Sequence, residues 1–468
     1  MLHKPFALAA LLAASCGVQA ATDADLAAIR SQIDEMKKSY EQRIATLEKR
    51  LVQAETAPKT VAAAPANPSP APQAAPVTQI ASASASAFNP EVSLILQGAY
   101  RNMKDISNRQ ISGFVTAPDS ESASRGFSID ESELVLGASI DPYWRGRAIL
   151  AINGGEVEVE EAWFQSLAIG HGVGLKGGRM RSSIGYLNEI HPHAWDFSDA
   201  PLMYQAMFGS SASYVQDGAQ LKWVAPTPVF LEFGAEFGRG ANFPGSDKNK
   251  NGTGGGALFA HVGDSLGVSN DWRAGVSYLK TSAAERESNF NDINGVVAQG
   301  AFSGDSSTWL ADFVWKWSPN GNPKYQNFKF QTEYFSREEK GSLNCKDNDS
   351  AGNACNPNND GSSVTSSYRT RQNGWYAQGV YQFTSNWRAG LRYDQLDSGT
   401  RDFGANAANL AAESYRPKRA TAMVDYSWSE FSRMRLQFAQ DKSMAGITDN
   451  QVTVQYIMSL GAHGAHKF

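Results

Sequence analysis

Past its first twenty residues the chain has no apolar run approaching the ~18 to 20 residues that a membrane-spanning helix requires, which excludes a helical membrane protein. No spacing in it marks a catalytic triad, so no enzyme activity and no catalytic residue are expected. The formal charge of -5 is too small to imply a nucleic-acid partner. Cysteine is scarce, with 3 residues in all, Cys16, Cys345 and Cys355. No cofactor signature stands out.

What is present falls into three regions. Met-Leu-His-Lys followed by an uncharged stretch to Ala14, then Val18-Gln19-Ala20, reads as a secretory signal over 1–20, taking Cys16 with it. Over 21–55, Leu26, Ile29, Ile33, Met36, Tyr40, Ile44, Leu47 and Leu51 recur at steps of three and four, the pattern of a coiled coil. The two successive steps of four from Met36 to Ile44 form a stutter, and large aliphatics at both seam positions favour three or more strands over two. Residues 56–87 are almost wholly Ala, Pro, Ser, Thr and Val, which cannot bury a core and form an extended tether.

From 88 to 468 the pattern becomes short alternating segments, about sixteen in number, separated by Gly, Pro, Asn and Asp. Leu231, Phe233, Ala235 and Phe237 alternate with Glu232, Gly234, Glu236 and Gly238, and Met434, Leu436 and Phe438 with Arg433, Arg435 and Gln437. A soluble sandwich also alternates, but here the connections switch between short turns, such as Asp141-Pro142 and 384–386, and long loops at 105–126, 183–216, 239–254, 281–306, 338–366 and 398–415. That switching is the habit of a transmembrane β-barrel, with short turns on the periplasmic side. The last segment carries Val452, Val454, Tyr456, Met458 and Leu460 on one face and ends on Phe468, a signal of the kind read by the barrel-assembly machinery. The expected fold is therefore an all-β transmembrane barrel of about sixteen antiparallel strands, preceded by a periplasmic coiled-coil helix, in lipid and lipopolysaccharide of a bacterial outer membrane. A barrel of that size leaves an aqueous channel, whereas the plugged transporters need about twenty-two strands.

Several residues are candidates for function inside such a channel. Arg145, Arg147, Arg179, Arg181, Arg388, Arg392, Arg433 and Arg435 come in pairs on polar strand faces and can guide anions. Alternatively they pair with Glu158, Glu160, Glu232, Glu236, Asp394 and Asp425 and only stiffen the wall. The 183–216 connection is the third outward loop, and His191, His193, Trp195, Asp196 and Asp199 make it too aromatic and ligand-rich for a solvated loop. It is expected to fold inward as a constriction. His191 and His193, with Asp196 and Asp199, form one candidate metal site, and His463 with His466 a second short pair. Cys345 and Cys355 share one outward loop and, in an oxidising compartment, are expected to form a disulfide.

The coiled-coil start, the tether, and the segments FNPEVSLILQGAY, HPHAWDFSDAPL and QYIMSLGAHGAHKF together resemble the phosphate-selective porin O and P superfamily, in its DcaP-like branch. That branch includes outer-membrane proteins labelled as zinc-regulated. The resemblance implies a homotrimer of sixteen-stranded barrels with the coiled coil as a periplasmic stalk. It does not imply phosphate selectivity, since lysines are sparse and the inward positive charge is arginine interleaved with acids. The expected function is an outer-membrane porin for small hydrophilic, anionic solutes; the alternative is a zinc-binding or zinc-uptake protein using the loop around His191 and His193.

Overall fold

The computed structural model describes residues 91–106, 109–115, 124–209, 211–346, 354–355 and 363–461. The signal peptide, coiled coil and tether, together with His463, His466 and Phe468, lie outside the described residues. The first half of the sheet comprises β1 (Glu91–Asn102), β2 (Gly126–Ile129), β3 (Ser132–Ser139), β4 (Trp144–Asn153), β5 (Glu156–Ser166), β6 (Val173–Arg181), β7 (Val215–Val224) and β8 (Phe230–Gly238). The second comprises β9 (Gly255–Leu266), β10 (Asn270–Asn291), β11 (Val297–Trp317), β12 (Asn327–Lys346) and β13 (Val364–Gln382). It closes with β14 (Trp387–Asp402), β15 (Lys418–Ser429), β16 (Ser432–Lys442) and β17 (Asp449–Gly461).

All strand pairs are antiparallel, consecutive strands from β3 to β17 pair with one another, and β1 closes on β17. Both β2 and β3 pair with β1, so they are two pieces of one interrupted stave and the barrel has sixteen. Closure leaves no sheet edge unpaired, which is the condition for a sheet to stand in hydrocarbon. The alternation read from sequence becomes the two faces of the wall. Leu391, Leu436, Phe438 and Tyr456 are exposed on the outside, while Arg392, Asp394, Arg435 and Gln455 are buried inside. Outward aromatics meet across neighbouring strands near the short turns, as in Trp387 with Tyr426 and Trp315 with Phe328, the position of an interfacial girdle.

The loop expected at 281–306 is largely strand, and strand also takes in 338–346 and 398–402 at the starts of the loops expected at 338–366 and 398–415. β10 through β13 run for 22, 21, 20 and 19 residues, about twice the 9–11 that cross a bilayer. Their upper halves carry polar residues on both faces, so no apolar alternation marks them, yet the inner face continues with Ala283, Ser288 and Phe290. A second core caps this extension, built from Phe290, Phe302, Leu343, Tyr368, Phe403 and Leu410. Cys345 and Cys355 form a disulfide within it.

Candidate constriction and its charged wall

The third outward loop, residues 182–214, lies inside the lumen. It contains the helix α1 (Leu202–Phe208), which Pro201 opens and Gly209 ends at φ 80°, a conformation that favours glycine. The loop's apolar residues Ile184, Leu187, Leu202, Met203, Tyr204, Met207 and Phe208 are buried against one inward side chain from each of six successive staves, Ala257, Leu279, Leu310, Phe335, Tyr376 and Leu396. Inward positions of a wet channel are normally polar, so these apolar positions mark where the loop docks.

Polar contacts fix its register. The buried carboxylate of Glu333 accepts the backbone N–H of Tyr186 at 3.0 Å and of Leu187 at 3.1 Å, and the hydroxyls of Tyr204 at 2.8 Å and Tyr376 at 2.6 Å. Asn188 closes the neck, donating to the carbonyls of Ser182 and Tyr214 and accepting from the N–H of Tyr214. Asp394 accepts the N–H of Leu202, the first residue of α1, at 2.9 Å.

Opposite these, guanidinium groups hold the loop's carbonyl oxygens. Arg433 donates to His193, Arg435 to Trp195, Arg392 to Asp199 and Arg419 to Ala200, at 2.6 to 2.9 Å. The same cations are matched by carboxylates. Arg388 and Arg435 pair with Asp425, Arg392 with Asp394 and Asp199, Arg419 with Asp199, and both Arg388 and Lys329 with Asp196. Burial alone would raise the Asp196 carboxyl, but Lys329 and Arg388 hold it well below the usual carboxylate range. Arg392 and Arg419 do the same for Asp199 against the same opposing burial.

The eight arginines singled out by sequence therefore fall into distinct settings. Arg388, Arg392, Arg433 and Arg435 gather at the loop. Arg181 is buried on Glu160, whereas its sequence mate Arg179 sits half-exposed, 3.6 Å from Asp217, so that pair is split. The irregular backbone at Gly178, φ 121°, accompanies the split. Arg145 pairs with Glu91 at 2.8 Å, well exposed, and Arg147 has no ion pair among the described residues.

The histidines do not meet Asp196 and Asp199, which the cations above engage. His191 Nδ1 lies 3.1 Å from Glu160 Oε2 and 3.3 Å from Glu133 Oε2, while Nε2 lies 2.8 Å from Glu161 Oε1. His193 Nδ1 is 2.7 Å from Glu133 Oε1, and the two rings stack at 5.8 Å. Sequence reasoning missed Glu133 and Glu161 because adjacent strand residues should face opposite ways. A bulge in β5, where Ile149 pairs with Glu161 and Leu150 with Val159, leaves Glu160 as the extra residue and turns both carboxylates inward.

The first outward loop also crosses the lumen, which the sequence did not signal. Ile111 and Phe114 join the constriction core, and the Gly113 carbonyl accepts from Gln372 on the far wall at 2.7 Å. Gly113 has φ 79°, and a Cβ there would lie 2.4 Å from that of Ser398. Between the two loops and the wall remains a cavity of about 300 Å³, lined by charged and polar groups such as Arg101, Arg109, Asp199 and Arg419 and by apolar ones such as Ile111 and Leu202.

No family model matches the chain. It is similar to an uncharacterized protein of Aquifex aeolicus, 28% identical over 421 residues that span 83% of this chain and 82% of that protein. Among solved structures it is similar to a loop-deletion mutant of OmpT, an outer membrane protein of Vibrio cholerae, with 11% identity, TM-score 0.49, and 80% and 100% of the two chains covered. It is also similar to the outer membrane channel DcaP of Acinetobacter baumannii, with 12% identity, TM-score 0.45, and 81% and 99% covered.

Proposed function

We propose that the protein is an outer-membrane porin of the branch named above, a homotrimer whose coiled coil lies in the periplasm, passing small hydrophilic anions by diffusion. The observation that carries this is the third loop, built into the lumen with a cavity of mixed lining left beside it. The cations Arg101, Arg109 and Arg419 line that cavity, together with Asp199, Gln205 and Gln437. Fixed guanidinium groups at a narrow aqueous passage favour anions through their field and their bidentate geometry. In this reading Arg433 and Arg435, bound to the loop carbonyls of His193 and Trp195, brace the constriction, and Arg419, which holds the Ala200 carbonyl, both braces it and lines the cavity.

The test is the reversal potential of the purified full-length protein in a planar bilayer under a salt gradient. An anion preference that falls in Arg109→Ala, whose partner Asp449 then keeps its charge, supports the reading. A folded protein that does not conduct overturns it.

A further inference from the structure

We propose that Glu133, Glu160 and His191 form a divalent-cation site of zinc type at the root of the inward loop, tying the loop to β3 and β5. One ligand atom from each of the three lies within 4.8 Å of the others. Zinc bonds of about 2.0 to 2.2 Å at tetrahedral angles place ligand atoms roughly 3.3 Å apart. The distances from His191 Nδ1 to Glu160 Oε2 and Glu133 Oε2, 3.1 and 3.3 Å, already match that spacing.

The atoms around these three are arranged as a supporting shell. With Nδ1 as the ligand, His191 Nε2–H donates to Glu161 Oε1 at 2.8 Å, the carboxylate-to-imidazole support typical of metal-bound histidine. Glu161 is itself oriented by the indole N–H of Trp163 at 2.8 Å. The second oxygen of Glu160 is held by Arg181, and that of Glu133 by His193. Each ligand thus has its non-ligating atom fixed and its ligating atom aimed at one point.

Two further observations point to a cation here. Glu133 is fully buried, and its Oε2 accepts no hydrogen bond among the described residues. Oε1 of Glu131 is likewise sequestered without a partner, with Glu160, Arg181, Glu133 and His191 as its charged neighbours. Four carboxylates gather here with Arg181, Lys176 and the imidazoles of His191 and His193, and with the imidazoles neutral a divalent ion offsets the remaining negative charge. Mixed imidazole and carboxylate ligation suits zinc better than calcium or magnesium, which take oxygen donors.

The experiment uses the untagged full-length protein in detergent, stripped by a chelator and titrated with zinc against a chromophoric competitor. One zinc per chain is expected. His191→Gln and Glu160→Gln should each weaken it more than about 100-fold, and the supporting Glu161→Gln by about 10- to 100-fold. The exposed His171→Gln should change nothing. Heat-modifiable gel migration establishes that each variant is folded. Absence of stoichiometric zinc, or unchanged affinity in folded His191→Gln, overturns the proposal. Cobalt in the unmutated protein gives a check that needs no variant: intense tetrahedral visible bands are expected, and weak octahedral ones overturn it. All of these readouts are independent of conduction, so their failure leaves the channel reading untouched.

Discussion

The two sides of this barrel solve the same problem with different chemistry. On the tall side, β10 to β14 present Leu279, Leu310, Phe335, Tyr376 and Leu396 inward, and the loop is held by apolar burial around one carboxylate, Glu333. On the short side, β14 to β16 present Arg392, Arg419, Arg435, Asp394 and Asp425, and the loop is held by ion pairs and carbonyl hydrogen bonds. Apolar contact seals one flank of the loop, while buried ion pairs hold the other, which borders the remaining cavity at Asp199 and Arg419.

The charged side should break most severely. Asp425 is fully buried and serves Arg388, Arg433 and Arg435 at once. Asp425→Ala leaves uncompensated buried cations, and a loss of about 3 to 5 kcal/mol is expected in urea unfolding of the reconstituted barrel. A loss below 1 kcal/mol would mean water already screens these groups and the comparison fails. The tall side has a milder probe in Tyr204→Phe, which keeps the buried ring and removes one hydroxyl from the Glu333 carboxylate. Here about 1.5 to 3 kcal/mol is expected, with larger conductance fluctuations as the loop loosens. Unchanged channel noise would show that apolar contact alone fixes the loop.

The cap above the tall side should prove separable from the constriction. The disulfide closes a sequence separation of 10 residues, worth about 2 to 3 kcal/mol in chain entropy. Replacing both Cys345 and Cys355 by Ser should raise proteolysis of the 347–362 segment while leaving single-channel conductance unaltered. A changed conductance would mean that the cap communicates with the lumen.

These contrasts also show where sequence is informative. Period-two alternation identifies the wall wherever a strand crosses lipid, because the outer face must be apolar there; Leu391 and Phe438 are legible for that reason. Above the membrane that constraint vanishes, and Thr281 to Asn291 or Val297 to Ser306 look like loop although they are strand. The inward loop is legible from its crowded aromatics. Its partners are not, because Glu333 or Arg419 looks like any inward polar residue until the fold brings the loop to it. Nor is the Glu160–Glu161 pair, whose shared orientation depends on one bulge.

The smallest expected effect concerns acid. Asp196 and Asp199 belong to the loop, and their cationic partners outweigh burial and hold both well below the usual carboxylate range. A depressed carboxyl contributes stability that is present above its unfolded value and lost only as pH falls through the lower folded one. The ion pairs binding the loop's charged flank should therefore persist from pH 8 down to about pH 4, and single-channel conductance should show no acid-induced closure attributable to them in that range. Closure setting in near pH 5 or 6 that disappears in Asp196→Asn would show that burial outweighs Lys329 and Arg388 at this carboxyl. The charged flank would then be held by hydrogen bonds to a neutral group, and its division from the apolar flank would have to be redrawn.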